Sequence, residues 1–261
     1  MMRKSLFVIF FALFKLASVH AQDAVPDCSF ADAFPLGRDN TRMLEELTRA
    51  IEGINSAPGS YANKVRFLKE ILPDILEAQG DVELERERLL RILETADPSG
   101  EDREYLEQLK SRYSAQSAEE LRLRVDTIPL ELVMVQAAKE TGWGSSVVWE
   151  KCNNVAGIYA YSGLRVCDTP SKKLAHFATR ADSFRSYILS LNRNENYQEF
   201  RQKRAEMRAD GVRPDGVSLA PHLIKYSIQR EKYTSSITRL ITDHQLDTII
   251  AEAMSLAEQV E

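Results

Sequence analysis

The stretch AAKETGWGSSVVWEKCNNVAGIYAY, residues 137–161, decides how the rest of the chain is interpreted. A segment that is apolar almost all round, PLELVMVQAAKE at 129–140, runs into Glu140, and Gly-Trp-Gly follows one residue later. An apolar surface on every side is typical of a buried central helix and not of a surface helix. The sequence therefore predicts a carboxylate at the C-terminal end of a buried helix.

Glu140 is a candidate general acid. Burial against Trp143 would remove water from its carboxylate, and the negative end of the helix dipole would oppose the charge. Both effects raise the pKa of a glutamate, and partial protonation near neutral pH is what a general acid requires. Gly142 and Gly144 relieve the backbone at the turn and let a chain-like ligand come close. The alternative is a solvated Glu140 in the last turn, with Gly142 as a simple helix stop.

The N-terminus has the features of a secretory signal peptide. A basic start, MMRK, precedes an apolar run at 5–18 that only Lys15 interrupts, and small residues then favour cleavage after Ala21. An uncleaved membrane anchor is the competing interpretation, although the run is short for a span of about 20 residues. We therefore expect secretion across the inner membrane and a periplasmic location.

Charge and composition exclude several partners. The chain has 261 residues, 44% of them apolar, which is enough for a substantial core in one or two domains. Loss of residues 1–21 removes three basic side chains and takes the formal charge from −5 to −8. An acidic protein of this kind is a poor candidate for nucleic acid. No later segment could span a membrane, so no transmembrane segment is expected after signal removal.

The cysteines predict a disulfide, and the spacing of the histidines argues against a metal site. Cys152 and Cys167 flank a short segment and are predicted to form a disulfide, which would contribute about 3 kcal/mol. Cys28 is then free or paired elsewhere; three buried thiols are the alternative. The histidines of the exported chain lie far apart without metal-ligand spacing, and no phosphate-binding glycine loop is found. We therefore predict no metal ion and no organic cofactor.

Apolar periodicity and breaker residues predict mostly helices. A helix over 61–95 is expected to kink or split at Pro73 and to break again at Gly80. Ser145 is expected to cap the short helix that follows Glu140. Residues 157–177 combine aromatic, β-branched, glycine and proline residues and are interpreted as a small β-hairpin.

Two adjoining blocks resemble a known family. Residues 136–146, QAAKETGWGSS, are similar to the "AQAA-x-ESGWG-[ST]-S" block of the endo-β-N-acetylglucosaminidase-like domain. Residues 153–158, NNVAGI, are similar to the "NNLFG[IQ]" block that follows it. This domain is found in Bax-type proteins and in flagellar peptidoglycan hydrolases.

The resemblance extends over residues 58–245. The further similar blocks are FATRADS at 177–183, NRNENY at 192–197, LIKYS at 223–227 with Tyr233 after it, and, for the Bax-type helical extension, FLKEILP at 67–73 and RVDTIP at 124–129. Five blocks of the domain in the right order are far more specific than any one of them.

The resemblance implies a mainly α (α+β) fold, with a lysozyme-like domain, a small β-lobe and a preceding helical extension. It implies cleavage of β-1,4 glycosidic bonds in peptidoglycan glycan strands by an endo-β-N-acetylglucosaminidase. No protein partner is indicated. The expected organisation is a signal peptide at 1–21, a lead-in and first helix at 22–57, a helical extension at 58–126, the glucosaminidase domain at 127–250 and a C-terminal helical tail at 251–261.

The resemblance also assigns catalytic and groove residues. The catalytic acid of the family falls on Glu140, which agrees with the argument from the helix end. Tyr197 falls on a tyrosine that the family uses near the reacting sugar. Tyr226 and Tyr233 fall on tyrosines expected to line the groove, with helix packing as the alternative for these aromatic residues.

Three more residues of the opening stretch are expected to contact substrate or to shape its groove. Trp143 either stacks on a sugar or separates Glu140 from water. Asn154 belongs to the second similar block. Tyr159, with the following alanine, stands where Bax-type relatives have a tryptophan-containing segment, so the rim of the groove is expected to differ here.

A glycosidase usually needs a second carboxylate, which in this family lies in the β-lobe. Asp168 is the acidic residue between Gly157 and Phe177, and it follows Cys167, so a disulfide there would help to hold it. Asp182 is a rival but suits a helix cap better. The remaining alternative is attack by the acetamido group of the substrate itself.

Two other functions remain open. A lytic transglycosylase also starts from a glutamate at a helix end in a lysozyme-like fold, but the "GLMQ"-type block of many such enzymes is absent after Asn154. A non-catalytic wall-binding or scaffolding protein would dock a partner on residues 41–126 and merely bind glycan. The intact block around Glu140 argues against the second possibility.

Overall fold

A computed structural model of the chain describes residues 41–53, 60–160, 164–168 and 174–258. The predicted signal peptide, Cys28 and most of the lead-in lie outside these residues. Within them the helices are α1 (Thr41–Gly53), α2 (Ser60–Glu94), α3 (Gly100–Tyr113), α4 (Ala118–Arg124), α5 (Leu130–Thr141), α6 (Val147–Cys152), α7 (Arg180–Arg193), α8 (Gln198–Ala209), α9 (Gly216–Leu219), α10 (Glu231–Asp243) and α11 (Leu246–Glu258). Of the helices in this part of the chain, none combines the length and apolar character needed to cross a bilayer.

The longest helix, α2, runs without a break through Pro73 and Gly80. The predicted split at Pro73 and the predicted break at Gly80 are therefore wrong, and a kink at Pro73 stays a prediction. An internal proline costs a helix about 3 kcal/mol and a glycine about 1 kcal/mol. Burial of one large apolar side chain contributes about 1.5–3 kcal/mol, so several of them outweigh both costs. The buried side chains on either side of Pro73 are Phe67, Leu68, Ile71, Leu72 and Ile75.

Helix α5 is the buried central helix that the sequence predicts. Every residue from Leu130 to Ala138 is buried, and the helix packs against α2, α10 and α11. Its exposed or half-exposed residues come only at its end, at Lys139 and Glu140. The first two turns of α5 therefore lie in the core, and its last turn reaches the surface.

The two larger apolar cores of the described residues lie side by side. The main core contains residues of α1, α2, α5, α7, α10 and α11. The second core lies where the end of α2 meets α3 and α4, and it contains Leu89, Leu109, Tyr113, Ala115, Leu121 and Val125. The described part of the predicted helical extension, residues 60–126, thus packs into both cores, because the first half of α2 belongs to the main one.

Side chains at the helix ends account for several boundaries. Ser99 and Ser117 accept hydrogen bonds from the backbone of Asp102 and Glu120, as N-caps do. The prediction that Ser145 caps the next helix is wrong by one residue, because Ser146 accepts from the backbone N–H of Trp149. Ser145 instead donates its hydroxyl to the carbonyl of Gly142 at 2.7 Å.

The β-lobe follows α6. Strand β1 (Arg165–Val166) pairs antiparallel with β2 (Ala175–His176), and an isolated bridge joins Tyr159 to Leu174. A disulfide between Cys152 and Cys167 connects α6 to this lobe, with Cα atoms 5.7 Å apart. The prediction of a mainly helical, lysozyme-like fold with a small β-lobe is confirmed.

Candidate active site

Glu140 occupies the last turn of α5, where the helix ends sharply. Gly142 adopts the left-handed conformation, with φ at 60°, and its N–H reaches the carbonyl of Ala138. The Trp143 N–H donates to the same carbonyl at 2.8 Å. These bonds close the helix by the usual glycine cap. The half-buried Glu140 side chain therefore lies at the negative end of the helix dipole.

Gly144 is required by packing and not by a ligand. Its φ is 78°, and a Cβ atom here would lie 2.9 Å from the Phe67 ring of α2. The space beside Gly144 is thus filled by a core side chain. The expectation that this glycine leaves room for a chain-like ligand is not met. The expectation that it relieves the backbone at the turn is met by its positive φ.

Trp143 packs against the neighbouring helices. Its ring centroid is 5.9 Å from that of Phe67 and 6.0 Å from that of His244, in edge-on arrangements. The Lys64 ammonium lies 5.1 Å from the ring centroid, within cation–π range. These contacts give Trp143 a structural role at the junction of α2 and α10, and its contact with a sugar stays a prediction.

A tyrosine cluster lies beside Glu140. The Tyr233 hydroxyl of α10 donates a hydrogen bond to Oε1 of Glu140 at 2.9 Å. The Tyr226 ring stacks on the Tyr233 ring, with centroids 5.3 Å apart and planes 19° apart. Tyr197 and Tyr187 flank Tyr226, with centroids at 6.2 and 6.5 Å. The structure thus brings together Tyr197, Tyr226 and Tyr233, all named from the sequence, and adds Tyr187.

Two residues of this site were missed by sequence reasoning, Gln136 and Tyr187. The Gln136 side chain donates to the Tyr233 hydroxyl at 3.0 Å and accepts from the Tyr187 hydroxyl at 2.6 Å. A signal existed for Gln136, since it is a polar residue in an apolar helix, one turn before Glu140 and on the same face. No such signal marked Tyr187, which fits the apolar face of α7.

Three phenols of this cluster, those of Tyr233, Tyr226 and Tyr187, stay protonated far above neutral pH. Burial raises the pKa of Tyr233 well above 10, and the neighbouring negative charge of Glu140 raises it further. Burial, followed by the charge of Glu140, has the same effect on the pKa of Tyr226. Burial also raises the pKa of Tyr187, together with nearby Tyr197 and Glu140. These residues can therefore donate hydrogen bonds across the physiological range.

Asn154 holds the loop that passes Glu140. Its amide nitrogen donates to the carbonyls of Ile158 and Ala175 at 2.8 and 2.9 Å, and its oxygen accepts from the Ile158 N–H at 2.9 Å. Gly157, inside this loop, has φ at 64°, and a Cβ there would lie 4.0 Å from Oε2 of Glu140. Asn154 therefore ties the loop to β2 with its polar atoms, and sugar contact by Asn154 stays a prediction.

The β-lobe carries Tyr159 and Asp168. Tyr159 is half-buried and packs against the disulfide and Leu174. Asp168 is exposed and directly follows Cys167, whose N–H donates to the Leu174 carbonyl at 2.6 Å. The disulfide and the strand pairing thus anchor the residue before Asp168.

Asp182, the rival second acid, has the predicted capping role. Thr179 and Asp182 form a capping box at the start of α7, each side chain accepting from the backbone of the other. Arg185 also donates to Asp182 at 3.1 Å. The side chain of Asp182 is thus engaged in holding the start of the helix.

A comparison with known protein families matches the part of the chain that contains this site. Residues 115–246, half of the chain, match the glucosaminidase family, described as mannosyl-glycoprotein endo-beta-N-acetylglucosaminidase. The chain belongs to this family. The matched range contains Glu140, the four tyrosines and the β-lobe, and membership supports a peptidoglycan-related glycosidase.

A curated relative supports the same assignment. The chain is 25% identical over 206 residues to the protein named Protein bax of Escherichia coli (strain K12), and the alignment covers 75% of each chain. The resemblance to Bax-like proteins with a glucosaminidase domain is thereby confirmed. Among solved structures, none matches the chain significantly.

Proposed function

We propose that this protein is an exported peptidoglycan hydrolase that cleaves the β-1,4 glycosidic bond after N-acetylglucosamine, an endo-β-N-acetylglucosaminidase, with Glu140 as its general acid. The observation that carries the proposal is the position of Glu140. It stands at the end of a buried helix, accepts a hydrogen bond from Tyr233, and lies inside the range that matches the glucosaminidase family.

In the proposed reaction, Glu140 gives its proton to the glycosidic oxygen as the bond from that oxygen to the anomeric carbon breaks. The electron pair of the broken bond stays on the leaving oxygen. Either the Asp168 carboxylate or the acetamido oxygen of the substrate attacks or stabilises the anomeric carbon, and water then completes hydrolysis. Tyr197 is proposed to position one of these groups, since its ring lies against Tyr226 in the cluster beside Glu140.

The surroundings of Glu140 suit an acid that must lose its proton during each turnover. The helix end disfavours the carboxylate and so favours the protonated form that begins the reaction. The hydrogen bond from Tyr233 stabilises the carboxylate that proton transfer leaves behind. The helix end and the Tyr233 hydrogen bond thus favour opposite forms of Glu140.

The substrate groove is proposed to lie between the tyrosine cluster and the β-lobe. Tyr226, Tyr159 and Trp143 would supply aromatic surface for sugar rings, and the loop held by Asn154 would approach the glycan at Gly157. Peptidoglycan glycan strands are the proposed partner. Export is proposed from the N-terminal sequence, and the disulfide between Cys152 and Cys167 suits an oxidising compartment.

Mass spectrometry of purified peptidoglycan tests this function. The chain without residues 1–21 would be incubated with peptidoglycan beside its Glu140→Gln variant. The proposal expects fragments with reducing N-acetylglucosamine ends from the unmodified chain and none from the variant. Fragments ending in anhydro-muramic acid would identify a lytic transglycosylase instead. Binding to peptidoglycan without fragments would identify a non-catalytic wall-binding protein.

A further inference from the structure

A chain of hydrogen bonds leads from the core to Glu140. It starts at Tyr187 on α7, passes through Gln136 on α5 and Tyr233 on α10, and ends on Oε1 of Glu140. The successive distances are 2.6, 3.0 and 2.9 Å. Tyr187, Gln136 and Tyr233 are each at most 3% exposed. We call these three residues the relay.

The relay has one self-consistent direction. A phenol carries a single proton, and a carboxylate can only accept, so the Tyr233 proton must point at Glu140. The Tyr233 oxygen then has to accept, which requires the NH₂ group of Gln136 to face it. The Gln136 oxygen therefore faces the other way, where the proton of Tyr187 meets it. Reversing the amide would set the Gln136 oxygen against Glu140 in competition for one phenol proton.

We infer that Gln136 and Tyr187 are positioning residues for this acid, because they hold the Tyr233 hydroxyl in the orientation that donates to Oε1 of Glu140. The inference rests on the proposed role of Glu140. In a protonated carboxyl group the carbonyl oxygen is the better acceptor, and Oε1 is the oxygen that accepts from Tyr233. Oε1 can therefore accept from Tyr233 in both protonation states of Glu140.

This arrangement defines the acid step at the level of atoms. The O–H bond of the Glu140 carboxyl group breaks, its electron pair stays on the carboxylate, and the proton moves to the leaving oxygen of the glycan. The new carboxylate shares its charge between both oxygens, and Oε1 is already held by a donor aimed at it. Since the relay is assembled before the reaction, no group has to reorient as the charge develops.

The same reasoning gives Tyr187 an effect on Glu140 although they are not adjacent in the relay. Without the Tyr187 hydroxyl, the buried Gln136 oxygen loses its donor, and an unsatisfied buried acceptor is costly. Rotation of the Gln136 amide would recover a donor from Tyr233 and withdraw that proton from Glu140. The carboxylate of Glu140 would then lose stabilisation, and its pKa would rise.

Titration of Glu140 by carbon NMR tests the relay without requiring turnover. The chain would be labelled at the glutamate carboxyl carbons, and Glu140 would be assigned from its Glu140→Gln variant. The variants are Tyr233→Phe, Tyr187→Phe and Gln136→Met, which keep side-chain volume nearly constant. The matched control is Tyr113→Phe, which removes a buried phenol from a different glutamate, Glu85, in the second core.

The relay predicts that Tyr233→Phe raises the pKa of Glu140 by about one unit, as loss of a hydrogen bond to a charged group should. Tyr187→Phe and Gln136→Met should raise it in the same direction by a smaller amount, and Tyr113→Phe should leave it unchanged. A shift in Tyr233→Phe alone, with Tyr187→Phe and Gln136→Met matching the control, would overturn the inference. If one of these two variants does not fold, the other decides between the results.

Titration separates the two proposals. Loss of the relay effect in a chain that still cleaves peptidoglycan would reject the relay and keep the glucosaminidase. A chain that releases no fragments but shows the predicted shifts would keep the hydrogen-bond relay and reject the catalytic role of Glu140, and with it the proton delivery inferred here.

Discussion

A tyrosine from each core donates a hydrogen bond to a glutamate, but the two glutamates have different surroundings. In the second core, Tyr113 donates to Glu85 on α2, and Arg112 forms an ion pair with the same carboxylate. In the main core, Tyr233 donates to Glu140. Glu85 is 5% exposed and lies inside a long helix, whereas Glu140 is half-buried in the last turn of its helix.

The difference lies in the surroundings and not in the phenol. Burial raises the pKa of Glu85, and the charge of Arg112 and the hydroxyl of Tyr113 oppose that rise. Such a pair joins α2 to α3 within the second core. Glu140 stands instead where a helix dipole ends and where the glycine-containing loop at 154–158 passes. This position, and not the hydrogen bond from a tyrosine, makes Glu140 a candidate acid.

Exchanging the two glutamates for glutamine should give the largest contrast. Glu140→Gln should lower the rate of peptidoglycan cleavage by about 10²–10⁴-fold, the range of a general acid, with little change in melting temperature. Glu85→Gln should keep the rate within about twofold while it lowers the melting temperature, because a broken buried pair is destabilising. Rates and thermal melts of both variants check this. Equal rates in the two variants would remove the distinction.

The second-largest expected effect on turnover comes from removing the proposed second carboxylate. If Asp168 acts at the anomeric carbon, Asp168→Asn should lower turnover by at least about 10²-fold, comparable with loss of the acid. Asp210→Asn, at an exposed aspartate after α8, is the matched control. Near-normal turnover in Asp168→Asn would exclude Asp168 and leave attack by the acetamido group of the substrate.

Removing the phenol from each pair should have a moderate effect on rate in one case only. Tyr233→Phe should lower turnover by about 10-fold, since a hydrogen bond to a charged group is lost in the step that creates the charge. Tyr113→Phe should leave turnover unchanged. Steady-state rates at saturating substrate measure the difference, and similar losses in both variants would point to a general loss of stability.

The smallest expected effect is on the pH dependence of stability. A folded-state pKa raised above the unfolded value of about 4.5 gives stability that is present below that value and is lost as the pH rises through the folded pKa. The stability of the unmodified chain relative to Glu85→Gln should therefore fall as the pH rises above about 4.5. Urea unfolding of both proteins at several pH values tests this. A relative stability that grows with pH would mean that the ion pair with Arg112 outweighs burial.

Local patterns in the sequence predicted the central helix, its terminal glutamate and the helical class of the fold. They failed where distant packing overrides local preference. Pro73 and Gly80 remain helical because α2 is buried along one face, and Gly144 is required by Phe67, which is 77 positions away in the sequence. Neither effect is visible in a local window of sequence.

Family resemblance placed three tyrosines near Glu140, which spacing alone could not do. It did not reveal the relay, because Tyr187 looks like any apolar-face residue of an amphipathic helix. The position of Tyr187 in the relay depends on α5, α7 and α10 meeting at one point. The sequence thus predicted which residue could be the acid, and the structure was needed to show what holds it.

Leaving-group dependence tests the central claim, that Glu140 is the general acid, most directly. Glu140→Gln would be assayed on peptidoglycan and on a dinitrophenyl glycoside of an N-acetylglucosamine oligosaccharide, whose leaving group needs no proton. Glu150→Gln, at an exposed glutamate of α6, is the control. The account predicts a loss of about 10²–10⁴-fold on peptidoglycan and a nearly unchanged rate of bond cleavage with the activated glycoside. Equal losses on both substrates would contradict it, because Glu140 would then act at some step other than protonation of the leaving oxygen.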